Sequence, residues 1–208
     1  MTDWQTISAL ATAGGTLVLA VATFGAIRSA NRSARVAEQA MLMGMRPLLV
    51  QSLSSDPPQK ALWHDRHAVR IEGGRAIAQH IDDVIYLAIG VRNMGSGIAL
   101  MHGWCVWPEF SRQDPVSPDD FRRLAVDLYV APNAAGYWES ALRDPTEPAF
   151  VDMAAQIASR EPFAVDILYG DQDGGQRTIS RFIVLPAGDD GWYAQAPRHW
   201  NVDRPAPR

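Results

Sequence analysis

The chain opens on a stretch without a charged position: at residues 4–27 every side chain is apolar, small or uncharged. Arginines then arrive at Arg28, Arg32 and Arg35. If residues 6–27 are helical they rise about 33 Å, close to the roughly 30 Å thickness of a bilayer's hydrocarbon core. Ile7, Leu10, Leu17, Val18, Leu19, Val21, Phe24 and Ile27 each favour insertion by about 0.3–0.6 kcal/mol, diluted by Gly14, Gly15, Gly25 and the threonines. The pattern predicts a short outer tail at 1–5, a transmembrane helix at 6–27 and a juxtamembrane helix at 28–46. The alternative is a buried core helix of a soluble protein, but such helices rarely run this far without charge.

Small residues recur along the same stretch at alternating steps of three and four, from Ala9 through Ala13, Ala20, Ala30, Ala34 and Ala37. Small side chains let helices approach closely in lipid, and this spacing is the seam of a left-handed coil. It predicts one long helix, 4–44, able to form a parallel homodimer along Ala13, Ala20 and Ala34. An alanine-rich chain fills several heptad positions by composition alone, which is the competing reading.

Beyond residue 46 the pattern becomes short apolar runs separated by turn residues, as in an all-β sandwich or barrel. Arg46-Pro47 stops the helix, because the residue before a proline is pushed out of the helical region. A domain of about 150 residues at 47–196 is expected, followed by a Pro/Arg-rich tail at 197–208, loosely attached apart from Trp200. Candidate strands lie at 47–53, 69–72, 76–79, 84–92, 98–107, 125–130, 136–141, 163–169, 178–185 and, as an edge, 192–196. Sequential neighbours are expected to pair: 69–72 with 76–79 around Gly73-Gly74, 84–92 with 98–107, 125–130 with 136–141, and 163–169 with 178–185. The runs 84–92 and 98–107 are apolar at alternate and intervening positions alike, as for strands covered on both faces. Short helices are expected at 117–124, after Ser117-Pro118-Asp119-Asp120, and at 147–159, where Phe150, Met153, Ala154 and Ile157 have helical spacing.

Charge sets the sidedness of the expected span. The leader Met1-Thr2-Asp3 carries an acid and no cation, whereas Arg28, Arg32, Arg35 and Arg46 follow the apolar run. A signal peptide has the opposite arrangement, and cations flanking a span stay in the cytoplasm. The N-terminus is therefore expected outside, with Trp4 at the outer interface, and the domain inside. Arg28, Arg32 and Arg35 are assigned to anionic lipid head groups. The net charge of −4, without a cationic patch interleaved with aromatics, argues against a nucleic-acid partner. One cysteine, Cys105, excludes an intrachain disulfide and agrees with a reducing compartment. Set in Trp104-Cys105-Val106-Trp107, it reads as a small buried hydrophobe. Among 19 cationic residues Lys60 is the single lysine, a bias expected of a GC-rich bacterial genome.

Three motifs carry a resemblance: Arg46-Pro47-Leu48-Leu49 after the helix, Asn93-Met94-Gly95-Ser96-Gly97-Ile98-Ala99 after a strand, and Tyr169-Gly170-Asp171-Gln172-Asp173-Gly174 at a hairpin. With them the chain resembles single-pass membrane proteins of high-GC, actinobacterial-type bacteria. The resemblance implies an immunoglobulin-like β-sandwich behind the transmembrane helix and a mainly β fold, and it supplies no activity to carry over.

Chemistry-bearing sets are few. His64, Asp65, His67, His80, Asp82 and Asp83 form the nearest approach to a metal constellation, set against a reading as exposed hairpin polar groups. Asp171-x-Asp173-x-Gly175 departs from a calcium loop at its fifth, sixth and twelfth positions, where Gly175, Gln176 and Phe182 stand. Asn93-Met94-Gly95-Ser96-Gly97 precedes no helix, so it lacks what a dinucleotide loop needs. Tyr86, Trp104, Trp107, Tyr137 and Trp138 are expected to fill a core rather than line a groove. No nucleophile–base–orienter set is visible. The expectation is a membrane-tethered, non-enzymatic interaction or scaffold module without cofactor, held by the bilayer and by an unidentified protein partner. A metal- or ligand-binding sensor using the His64–Asp83 region is the alternative.

Overall fold

The computed structural model describes residues 3–111, 114–172, 176–188 and 191–203. The chain divides into two units, Met1–Gly44 and Met45–Arg208. The first is a single helix, α1 (Trp4–Gly44), of 41 residues. At 1.5 Å per residue it is about 62 Å long, twice what a bilayer core requires. Alanines carry it, and no proline interrupts it before Pro47. Its described side chains are all exposed, and it is long and apolar enough to cross a membrane. Two of its hydroxyls close onto the helix itself: Thr12 Oγ1 donates to Ser8 O at 2.9 Å and Thr16 Oγ1 to Thr12 O at 2.8 Å. That satisfies polar atoms without water, the condition for placing them in lipid.

The second unit is mainly β. Its strands are β1 (Leu49–Gln51), β2 (Gln59–Leu62), β3 (Ala68–Ile71), β4 (Arg75–Ile81), β5 (Val84–Asn93), β6 (Ala99–Trp107), β7 (Arg122–Val130), β8 (Ala135–Leu142), β9 (Phe163–Gly170), β10 (Thr178–Ala187) and β11 (Gly191–Asn201). Helix α2 (Pro148–Ser159) lies between β8 and β9. All except β2 and β3 join one curled antiparallel sheet, giving a sandwich-like domain. Strand β5 carries β4 and β1 in succession along one edge and β8 along the other. From β4 the sheet continues through β11, β10, β9 and β6 to β7. The concave side closes over one core, in which Trp138, Phe163, Tyr169 and Phe182 are among the largest fully buried side chains. Helix α2 adds Phe150 and Met153 to that core, while the β2–β3 ribbon covers Tyr86 and Ala88 on the outside of β5 with Ala61, Trp63 and Ile71. Strand β5 is thus covered on both faces, as its unbroken apolar run requires.

The strands at 163–169 and 178–185 pair as expected, with Thr178 opposite Tyr169 and Phe182 opposite Val165; residues 173–175 of their turn lie outside the described residues. Three other expected pairings are overturned. Strand β3 pairs with β2, and β4 with β5 through a turn at Asp82, whose φ is +51°. The Gly73-Gly74 corner instead lets the chain leave the small ribbon: a Cβ on Gly73 would stand 2.1 Å from Leu53 O, and Gly74 has φ +74°. Strands β5 and β6 belong to different parts of the curl, since β6 pairs with β7 and β9. Strands β7 and β8 follow one another around Asn133 (φ +57°), yet β7 pairs with β6 and β8 with β5.

Smaller corrections follow from long-range pairing. Residues 197–201 are not a loose tail: β11 runs to Asn201, opposite Thr178, and Asp203 binds Arg177, so the domain extends beyond residue 196. Strand β11 is also no edge, lying between β10 and β4. The helix expected at 117–124 is one 3-10 turn, Pro118–Asp120, cut short where Arg122 joins β7. Helix α1 stops at Gly44, as the stripe of small residues predicts and two residues short of the juxtamembrane bound at 46.

Candidate functional site

On α1, Arg28, Arg32 and Arg35 are exposed, and steps of four and three place them on one face. Ala13, Ala20 and Ala34 are exposed too and share another face. At 3.6 residues per turn the alanine face lies about a quarter turn from the arginines, so a second helix apposed along the alanines has the guanidiniums at the flank of the contact.

In the β unit, the proposed metal set does not gather. The β2–β3 turn is built by Asp65, whose Oδ1 accepts His67 N–H at 3.0 Å while Arg66 takes φ +69°. Asp65 Oδ2 accepts Tyr86 Oη–H at 2.6 Å and faces Arg143 Nη1 at 2.8 Å. The Tyr86 hydroxyl, first among these donors, holds the carboxyl well below the usual carboxylate range. The His67 ring lies 4.1 Å from that of Tyr86, and His80 meets Phe150 edge-on. Among the described residues no three histidine, cysteine or acidic side chains are placed to hold a metal ion.

Cys105 is buried, its thiol donating to Asp120 O at 3.3 Å. Burial pushes its pKa up to about 11 from an ordinary value of 9.0. Thiolate at neutral pH is therefore roughly 100-fold scarcer than for an unperturbed thiol. Alkylation of the full chain by iodoacetamide at pH 8 is expected to be at least that much slower than alkylation of free cysteine. Labelling at the rate of an exposed thiol would overturn the assignment.

A serine–histidine contact that no local motif announces lies where β1 meets β10 and β11. Ser180 Oγ is 2.6 Å from His199 Nδ1, 2.8 Å from Tyr169 Oη and 3.2 Å from Leu49 O. Leu49 N–H donates to Tyr169 Oη at 3.1 Å. Ser180 and Tyr169 are fully buried, and with partners on three sides the serine oxygen serves as a tie between strands rather than an exposed nucleophile. Burial, then the nearby Arg46, lowers the pKa of His199, which favours the neutral ring here.

The same end explains why two of the motifs read in the sequence occur together. Asn93 Oδ1 accepts the N–H groups of Leu48 and Gly95, and its Nδ2 donates to Gly97 O and Val130 O. Gly95 and Gly97 lie under the incoming chain, where a Cβ would stand 2.2 Å from Arg46 O and 1.7 Å from Met45 O respectively. The Arg-Pro segment is thus seated on the Asn-x-Gly-x-Gly loop, and the loop's glycines serve backbone contact rather than phosphate binding.

A groove of about 490 Å³ with mixed chemistry runs along the seam between β7 and β8, bordered by the start of the β2–β3 turn. Trp63 and Trp104 supply apolar wall, and Arg122, Arg123, Arg143 and Glu139 supply charge. Arg122 stacks over Trp104, 5.5 Å from its ring centre, and is paired with Glu147. Glu139 is buried and accepts Leu62 N–H at 3.1 Å, and desolvation raises its pKa. Nothing in the sequence marked this groove, because its walls come from strands that are neighbours in sequence but not in hydrogen bonding.

No family model matches this chain, nor does any curated protein. Among solved structures, the crystal structure of a protein from Archaeoglobus fulgidus aligns with 62% of this chain and 94% of that one, at 12% identity and a TM-score of 0.25.

Proposed function

We propose that this protein is a single-pass, membrane-tethered and non-enzymatic interaction module, its N-terminus outside and its β domain in the cytoplasm. The observation that carries the reading is α1: an apolar helix whose described side chains are all exposed, in a unit distinct from the β unit. Exposed Leu, Val and Phe side chains along several turns are costly in water and favourable in lipid. Arg28, Arg32 and Arg35 then meet the anionic inner leaflet, each worth about 1 kcal/mol near such a surface. Confinement to the bilayer raises the domain's effective concentration toward a second membrane-bound protein. The face of small side chains at Ala13, Ala20 and Ala34 supports a parallel homodimer through the helix.

The test is a C-terminal reporter active on one side of the membrane only. Wild-type chain is expected to report a cytoplasmic C-terminus, and Arg28→Glu, Arg32→Glu and Arg35→Glu together are expected to invert or mix the orientation. An outward C-terminus in the wild type, or an orientation indifferent to the triple change, would refute the assignment.

A further inference from the structure

We infer that the β7–β8 groove is a strand-addition site for an extended acidic peptide segment, presented by the partner that the interaction-module reading above requires. Each wall is an unfinished edge: β7 pairs only with β6, and β8 only with β5, among the described residues. Unpaired edges carry rows of N–H and C=O groups that template a further strand. The β8 edge is partly used, since Ser140 O accepts Trp63 Nε1–H at 3.1 Å and Leu62 N–H binds Glu139. The β7 edge is the open one. Between the pairs Met101–Leu128 and Gly103–Arg123, four β7 residues, 124–127, stand opposite one residue of β6. That bulge carries this stretch away from β6, with Val126 55% exposed. Residues 122–126 span about 17 Å, the length of four or five residues of added strand.

Charge selects the occupant. In a chain of net charge −4, this groove gathers three guanidiniums and one carboxylate. Arg122 and Arg143 are held by Glu147 and Asp65, fixing the forks in place at about one-third exposure. Arg123 is exposed and faces no carboxylate among the described residues. The one acid in the groove lining itself, Glu139, is buried where its charged form is disfavoured. An alternating acidic–aliphatic strand satisfies both demands: main-chain pairing along β7, a carboxylate toward Arg123, whose guanidinium Glu147 and Asp65 do not engage, and aliphatic side chains toward the Trp63 and Trp104 wall.

The probe is a fluorescein-labelled heptapeptide alternating glutamate and valine, titrated by anisotropy into the full chain in detergent. Saturable binding is expected, at least tenfold tighter than for the lysine–valine peptide or for the acidic peptide N-methylated at alternate amides. Arg123→Glu, at an exposed position, is expected to weaken binding at least tenfold with an unchanged unfolding midpoint. Absence of saturable binding, equal affinity for the lysine or methylated peptide, or unaltered affinity of Arg123→Glu would each overturn the site. Membrane fractionation of the same chain reads the tether separately. A membrane-bound chain that ignores the peptide sinks the groove alone, whereas a water-soluble chain that binds it sinks the tether alone.

Discussion

Replacing Asp166 with alanine is expected to cost the β domain about 3–5 kcal/mol, because it strands a buried guanidinium. Asp166 is fully buried and Arg181 is 2% exposed, on the outer side of the β9–β10 pair. The contact is bidentate: Asp166 Oδ1 accepts Arg181 Nε–H at 2.7 Å and Oδ2 accepts Nη2–H at 2.6 Å. Trp107 Nε1–H donates to Oδ2 at 3.2 Å, and the Trp200 ring covers the guanidinium at 5.0 Å. Removing the carboxylate takes away the opposite charge and two hydrogen bonds that offset the burial of the guanidinium. Removing both, as Asp166→Leu with Arg181→Met, is expected to recover most of the loss, since well-placed apolar side chains match a buried ion pair in stability. Denaturant unfolding of the full chain in detergent, followed by tryptophan fluorescence, measures both. A single-mutant loss under about 1 kcal/mol would show the pair to be hydrated and its surroundings open.

Asn93→Ala is the second large effect, expected at about 3–4 kcal/mol. The side chain is completely buried and engages four backbone groups, from Leu48, Gly95, Gly97 and Val130. Each buried backbone group left unpaired costs about 1–3 kcal/mol, and loop relaxation recovers part of the sum. Asn93→Asp keeps the acceptor but loses both donated bonds and introduces charge, so it is expected to fare no better. Hydrogen exchange gives the local signature: protection of the Leu48 and Gly95 amides should fall with the mutation. Retained protection at both, with unaltered global stability, would mean that Asn93 holds nothing in place.

The sequence makes the elements legible more readily than their partners. Strands β5 to β10 and helix α2 lie where apolar runs and turn residues placed them, because periodicity and breakers are local. Pairing is not local. The short connections at 94–98 and 131–134 invite hairpins, yet each carries the chain to a different part of the curl. The glycines at 95 and 97 serve a chain segment almost fifty residues earlier, which no local rule reveals. For the buried ion pair a signal was available: Asp166 interrupts an apolar run, and Arg181 stands opposite it once the β9–β10 register is set. The groove had no such signal, since it is defined by two strand edges left without partners. Of the functional assignments, the charge-free stretch and its arginines are visible in composition alone, whereas Ser180 and His199 meet only because β10 and β11 pair.

Arg46 and the last described strand share one neighbour. Arg46 Nη2–H donates to Thr178 Oγ1 at 3.1 Å, and Thr178 stands opposite Asn201 in the sheet. The first and last described residues of the β unit therefore lie at the same pole, the arrangement that favours circular permutation. New termini cut into an exposed turn, with a short bridge from residue 203 to residue 45, preserve every strand neighbour. A cargo inserted directly after residue 203 would be delivered beside residues 45–46, leaving the opposite pole free.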